Sequence, residues 1–206
     1  MRIESSVEIL EGATGQMLRA DLVTGVTLDE VDDAMALWAP FRLAHEEETG
    51  RRTQHSHWDW SRKARAVDGA PNYTIVGVRV GVQLQGLMLW DDLHEKGQLG
   101  SQLGLDLVYI HFISTAPWND RSFVLRPDYL GVGTLLVVAA VKWSIHLGFE
   151  GRLGLHSLLQ AELFYRDRCK MKDLGPDTSG GHNGLHYFEF TPSMARDFLN
   201  RSEGKR

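Results

Sequence analysis

The spacing of apolar positions changes along this chain, and each change marks an element. Val31, Ala34, Leu37, Trp38 and Phe41 recur three and four residues apart, predicting a helix that starts from a cap at Thr27 or Asp29 and ends near Glu48, before Gly50. A short strand over 21–27 precedes it, and a second helix over 57–67 is closed by Asp68-Gly69 with Pro71 beyond. From Tyr73 the texture is that of strands: 73–80 and 83–90, divided at Gly81, read as a hairpin. Residues 105–115 are apolar, β-branched or aromatic except at Asp106, His111 and Ser114, as expected of a strand in the middle of a sheet. Residues 134–147 are apolar nearly all round, so this helix has to be buried. A strand over 152–158, a short helix over 160–169, a strand over 187–191 and a helix over 194–200 complete the chain. After the first short strand the order is α, α, β, β, β, α, β, α, β, closed by the helix over 194–200.

No linker, repeat or low-complexity tract interrupts the 206 residues. The expectation is one domain over 1–206, with a variable N-terminal helical part over 1–70, a core over 73–200 and a frayed charged tail over 201–206. Hydrophobic residues make up 43% and charged residues 24%, the balance of a soluble globular protein. Twenty-two Lys and Arg against 27 Asp and Glu leave a net charge of -5, which removes the broad cationic field of a nucleic-acid binder. The single cysteine, Cys169, leaves no internal disulfide or multi-cysteine metal site, so a reducing cytoplasm is the expected compartment. Arg2, Glu4, Glu8, Glu11 and Arg19 break up any apolar leader, and the apolar run 135–141 is too short to span a bilayer, so no membrane association is expected.

Candidate chemistry centres on Gly131-Val132-Gly133, immediately before the apolar helix. Free N–H groups at a helix start, together with the helix dipole, favour an anion there. Two glycines alone are more often only a tight turn. The longer stretch Gly131-Val132-Gly133-Thr134-Leu135-Leu136-Val137-Val138-Ala139-Ala140-Val141-Lys142-Trp143-Ser144, however, resembles the acyl-CoA-binding turn and helix of the GNAT N-acetyltransferase superfamily. Gly148-Phe149-Glu150-Gly151-Arg152-Leu153-Gly154-Leu155 resembles that family's helix exit and next strand. Ala161-Glu162-Leu163-Phe164-Tyr165, followed by Arg168-Cys169-Lys170-Met171, resembles its short helix. The family turn is usually Q/R-x-x-G-x-G/A, and here Asp128 holds the first position.

The resemblance implies an α/β (α+β) fold: a mixed central sheet flanked by helices, with two strands splayed to form an acyl-CoA cleft. It implies acetyl-CoA as acyl donor, with its pantetheine beside the backbone of Ile113, Ser114 and Thr115 and its pyrophosphate on N–H groups of Leu130, Gly131, Val132, Gly133 and Thr134. The implied activity is transfer of an acetyl group to an amine of a small molecule or protein. Tyr165 matches the family's general-acid tyrosine. A homodimer through the C-terminal strand is also compatible with it. A GNAT-like binding or regulatory module without catalysis stays open, because Asp128 puts a carboxylate in the turn.

Acyl transfer also needs a route for the amine proton. Asp106 and His111 on the central strand are the candidate bases, with His156 on the following strand a third. A lone strand histidine is more often a hydrogen-bonded residue than a catalyst. In His55-Ser56-His57-Trp58-Asp59-Trp60, Trp58 is the candidate acceptor contact, against a simpler reading in which the tryptophans pack and the histidines meet water. Trp118 and Asn119, in the loop after the central strand, are further acceptor candidates, although Asn119-Asp120 also suits a turn. Residues 179–184, Ser-Gly-Gly-His-Asn-Gly, read as a flexible loop. His55 and His57 lack a third ligand at a diagnostic spacing, so no metal is expected.

Overall fold

The computed structural model describes residues 2–179 and 181–204. It contains strands β1 (Ile3–Glu11), β2 (Met17–Thr24), β3 (Tyr73–Val80), β4 (Gln83–Asp91), β5 (Val108–Thr115), β6 (Tyr129–Leu130), β7 (Leu153–Ser157), β8 (Lys172–Asp177) and β9 (Leu185–Phe190). The α-helices are α1 (Leu28–Thr49), α2 (Trp60–Val67), α3 (Val132–His146) and α4 (Pro192–Glu203). Arg201 thus belongs to α4, with Nη2 donating to the Cys169 carbonyl at 3.1 Å; Lys205 and Arg206 of the expected tail lie outside the described residues.

The chain forms two compact units, residues 1–89 with 113–136, and 90–112 with 137–206. In the first, the strand order is β6-β1-β2-β3-β4. β1 pairs antiparallel with β2 from Ile3↔Thr24 to Leu10↔Met17, and β6 closes on β1 through Leu10↔Leu130 and Glu11↔Tyr129. β2 pairs antiparallel with β3. Helix α1 starts in a reciprocal cap, Thr27 Oγ1 accepting from the Glu30 N–H while Glu30 accepts from the Thr27 N–H. It ends at Gly50, whose φ of +66° suits glycine. Its buried stripe is Val31, Ala34, Trp38 and Arg42, narrower than expected, since Leu37 and Phe41 reach the surface. The second helix begins three residues later than the spacing predicts because Asp59, accepting from the Arg62 N–H at 3.0 Å, caps it.

In the second unit the order is β5-β7-β9-β8. β5 and β7 are parallel over Val108↔Leu153, Tyr109↔Gly154 and Ile110↔Leu155. β9 pairs antiparallel with both β7 and β8. Helix α3 carries an unbroken buried run, Leu135 to Val141, as its apolar surface requires, with Leu135 and Leu136 counted in the first unit and Val137 to Val141 in the second. Asp106, expected on the central strand, instead precedes β5. It is exposed, bridges to Lys96 and forms an ion pair with it. The region 160–169 is a 3-10 turn, Leu159–Ala161, followed by a π-helical turn, Phe164–Cys169.

Candidate functional site

Within the first unit, the Gly131 turn is held by a chain of hydrogen bonds starting at Gln85. This β4 side chain is 2% exposed, and its Oε1 accepts from Trp118 Nε1 at 2.8 Å and from Asn119 Nδ2 at 2.9 Å. Asn119 Oδ1 accepts from the Tyr129 N–H at 2.8 Å, and the Trp118 carbonyl accepts from the Asp128 N–H at 3.0 Å. Both polar ends of Asn119 are therefore engaged inside the protein, fixing β6 where it enters the turn. Gly131 follows at φ +92°, and α3 begins at Val132. A Cβ on Gly86 would lie 2.5 Å from Val132 Cγ1, so that glycine lets the first residue of α3 rest directly on β4. The first amides of α3, which a helix cannot satisfy itself, follow directly from this turn. Asp128 is exposed and contributes backbone bonds to the loop.

Helix α2 reaches β5 through a buried bond: Trp60, fully buried, donates Nε1–H to Ser114 Oγ at 2.7 Å. Ser114 is buried, while Ile113 and Thr115 on either side are half-buried. His55 does not meet water. It is 5% exposed, its Nε2 is 3.5 Å from Asp120 Oδ2, and Trp58 and Phe123 pack edge-on against its ring. Burial pushes its pKa down, opposed by Asp120. His57 is exposed. Lys63 sits 5.0 Å over the Trp58 ring, and Arg42, 5% exposed, donates Nη1–H to the Trp58 carbonyl at 3.3 Å. Phe41 meets Trp118 edge-on. Leu130, Gly131, Val132, Gly133, Thr134, Ile113, Ser114, Thr115, Trp58, Trp118 and Asn119 all fall in this unit.

In the second unit, Tyr165 lies in the π-helical turn, 3% exposed, with Phe164 and Phe188 rings at 5.2 and 5.7 Å. Burial raises its pKa, so the phenol stays protonated and keeps a hydrogen to donate. His111 on β5 packs edge-on against Tyr109, and its Nε2 is 3.8 Å from the buried Asp91 carboxylate. Desolvation lowers its pKa and Asp91 opposes that. Asp91 also accepts from the Leu93 and His94 N–H groups and from His94 Nδ1. Sequence reasoning singled out His156 but not its partners, Tyr109 at 2.6 Å and Asp177 at 3.0 Å. His182 stacks on His156 with centroids 3.6 Å apart.

Ligand atoms of His156, Asp177 and His182 lie within 4.8 Å of one another. Yet the two rings are parallel to within 5°. In-plane lone pairs of face-to-face imidazoles do not converge on one ion at the ~2 Å bonds a metal needs. His156 is engaged at both ring nitrogens, by Tyr109 and Asp177, and meets His182 by stacking. Among the described residues, no helix is long and apolar enough to cross a membrane.

No protein-family model matches the chain, and no curated protein does. Solved structures do match. An N-acetyltransferase from Staphylococcus aureus Mu50 is 12% identical, with 84% of this chain and 98% of that one covered at a TM-score of 0.54. FeeM, an N-acyl amino acid synthase from uncultured soil microbes, is 13% identical, with 98% of each chain covered at a TM-score of 0.53. At such identities the likeness establishes architecture, and with the strand and helix order above it gives one conclusion: the chain has the GNAT N-acetyltransferase fold.

Proposed function

We propose that this chain is an acyltransferase that moves an acetyl group from acetyl-CoA to an amine. The observation that carries the reading is the turn at Gly131: a left-handed glycine, fixed through Asn119 and Gln85, delivers the chain straight into the start of α3. The first amides of a helix, which it cannot satisfy itself, and the positive end of the helix dipole suit the pyrophosphate of coenzyme A. Leu130, Gly131, Val132, Gly133 and Thr134 hold the pyrophosphate through backbone N–H groups. Ile113, Ser114 and Thr115 on β5 flank the pantetheine. When bound, acetyl-CoA supplies the activated thioester. The fold shared with the staphylococcal N-acetyltransferase supports this assignment.

Trp58, Trp118 and Asn119 belong to the acceptor side. Asn119 acts by fixing the loop, and Trp58 and Trp118 supply ring surface. Tyr165 is the proton donor to the departing thiolate, a task its burial-raised pKa permits. His111, beside the Tyr109 ring and the Asp91 carboxylate, is the candidate base. Asp106, exposed and paired with Lys96, has no part in this account.

The test is calorimetric titration with acetyl-CoA. Gly131→Glu places a carboxylate in the turn but strains a φ of +92°, so Thr134→Glu serves beside it. A carboxylate in the first turn of a helix favours folding while repelling a phosphate. Micromolar binding by the native protein, lost in a folded Thr134→Glu variant, is expected. Equal binding by the variant would overturn the assignment of the turn.

A further inference from the structure

Strand β6 is only two residues long, Tyr129–Leu130, and leads directly into Gly131. So short a strand cannot fix its own place, and the position of the turn depends on what grips the chain just before it. One grip is the Asn119 side chain, which takes the Tyr129 N–H at 2.8 Å. The other is the tip of the β1–β2 hairpin in the same unit. The pairs Leu10↔Leu130 and Glu11↔Tyr129 run on for one more residue, because the Gly12 N–H donates to the Asp128 carbonyl at 2.7 Å.

Only glycine allows that approach. A Cβ on residue 12 would lie 1.9 Å from the Pro127 carbonyl oxygen and 3.4 Å from that of Asp128. The obstacle is backbone, which has no rotamer to turn away, and Pro127 is itself buried. The hairpin tip is braced in this position. The Gly15 N–H donates to the Glu11 carbonyl and the Glu11 N–H to the Gln16 carbonyl, both at 2.9 Å, while Thr14 Oγ1 donates to the Glu11 carboxylate. Gly15 turns the tip at φ +71°, and a Cβ on it would meet nothing within 4 Å. The two glycines therefore do different things: Gly15 closes the hairpin, and Gly12 lets it touch the loop that precedes Gly131.

Asp128 fits the same arrangement. Its N–H goes to the Trp118 carbonyl at 3.0 Å and its carbonyl takes the Gly12 N–H. Both of its backbone groups hold the loop, and its side chain is left exposed.

Resting on the acyl-transfer reading above, we propose that Gly12 is a positioning residue for the coenzyme turn. The β1–β2 hairpin, through Gly12, sets where the amides of residues 130–134 meet the pyrophosphate. Gly12 acts through Pro127 and Asp128 and needs no contact with the donor itself. Backbone donors cannot re-aim one by one, so a displacement of about 1 Å is enough to cost ~100-fold. Nothing in the sequence announces this role, since residues 1–70 read as a variable helical part more than a hundred residues before the turn.

Two variants separate positioning from plain structure. Gly12→Ala pushes the hairpin against the Pro127–Asp128 backbone, whereas Gly15→Ala only strains the hairpin's own left-handed residue. Gly12→Ala should weaken acetyl-CoA binding at least ~10-fold by calorimetry. It should also shift the Tyr129 and Gly131 amide resonances in nitrogen-15 spectra before any ligand is added. Gly15→Ala should lower thermal stability yet leave the acetyl-CoA affinity and those two resonances in place. A further measurement needs no variant and decides alone if Gly12→Ala does not fold: saturating acetyl-CoA should slow hydrogen exchange at the Gly12 N–H of the native protein. Native affinity in a folded Gly12→Ala, equal losses of affinity in the two variants, or unchanged Gly12 exchange with acetyl-CoA bound would overturn the proposal and leave the donor assignment standing. No acetyl-CoA binding by the native protein would overturn the donor assignment first, and with it the role given to Gly12, even where Gly12→Ala moves the Tyr129 and Gly131 resonances.

Discussion

Single side chains set the sharpest energetic tests. Ser114 Oγ is the partner of a fully buried indole N–H, so Ser114→Ala leaves that donor desolvated and unpaired. Such a loss costs about 1–3 kcal/mol, to be read from chemical denaturation. The backbone of Ser114 is unchanged by the substitution, so acetyl-CoA affinity should hold while stability falls. Arg42 is the opposite case. Its Nε and Nη2 are buried without a partner among the described residues, and burial lowers its pKa. A buried cation so incompletely matched favours replacement by an apolar group, so Arg42→Met should be neutral or stabilising by about 1 kcal/mol. A loss of more than about 2 kcal/mol would mean that the guanidinium is better satisfied than its contacts indicate.

At the scale of elements, Glu30 of α1 ties to the residue before β1 and to β3, since Arg2 donates to it at 2.7 and 2.8 Å and Arg79 at 3.4 Å. The bond from Arg2, aided by the Thr27 cap, lowers its pKa from 4.5 to about 2. A carboxyl depressed on folding contributes stability that is fully present above its ordinary pKa and is lost as pH falls through the folded value. Native protein should thus lose part of its stability between pH 4.5 and about pH 2, and Glu30→Gln should flatten that part of the curve. An identical slope in the variant would exclude Glu30 as a source. Gly86→Val would press on Val132 and shift the start of α3, costing about 1–3 kcal/mol and weakening acetyl-CoA binding more than Ser114→Ala does.

Most of these elements were legible in sequence because their signals are local. The Thr27 cap with Glu30 three residues on, the Val-rich run of β3 and the all-round apolar α3 each declare themselves within one window. β1 was not legible: Glu4, Ser5, Ser6 and Glu8 leave it exposed over most of its length, and its pairing with β2 and β6 defines it. β8 hides behind Gly175-Pro176, which coincides with the irregular register against β9. The π-helical turn has apolar spacing close enough to an α-helix to be read as one. The hydrogen-bonded chain of Tyr109, His156 and Asp177 was invisible for a different reason. Tyr109, His156 and Asp177 stand 47 and 21 residues apart, and only strand register brings them together.

For the whole molecule, two compact units carry distinct parts of the account, the turn and its clamp in one and the Tyr109–His156–Asp177 chain in the other. The architecture is shared with N-acetyltransferase structures, and the resemblance around residues 131–144 implies the same fold from sequence alone. Fold leaves the reaction to be decided by the site. The most direct measurement is acetyl-CoA titration of the native protein and Thr134→Glu by calorimetry, with folding checked by circular dichroism. The account predicts saturable micromolar binding by the native protein and none by a folded variant. Absence of binding by the native protein, or equal binding by both, would contradict it.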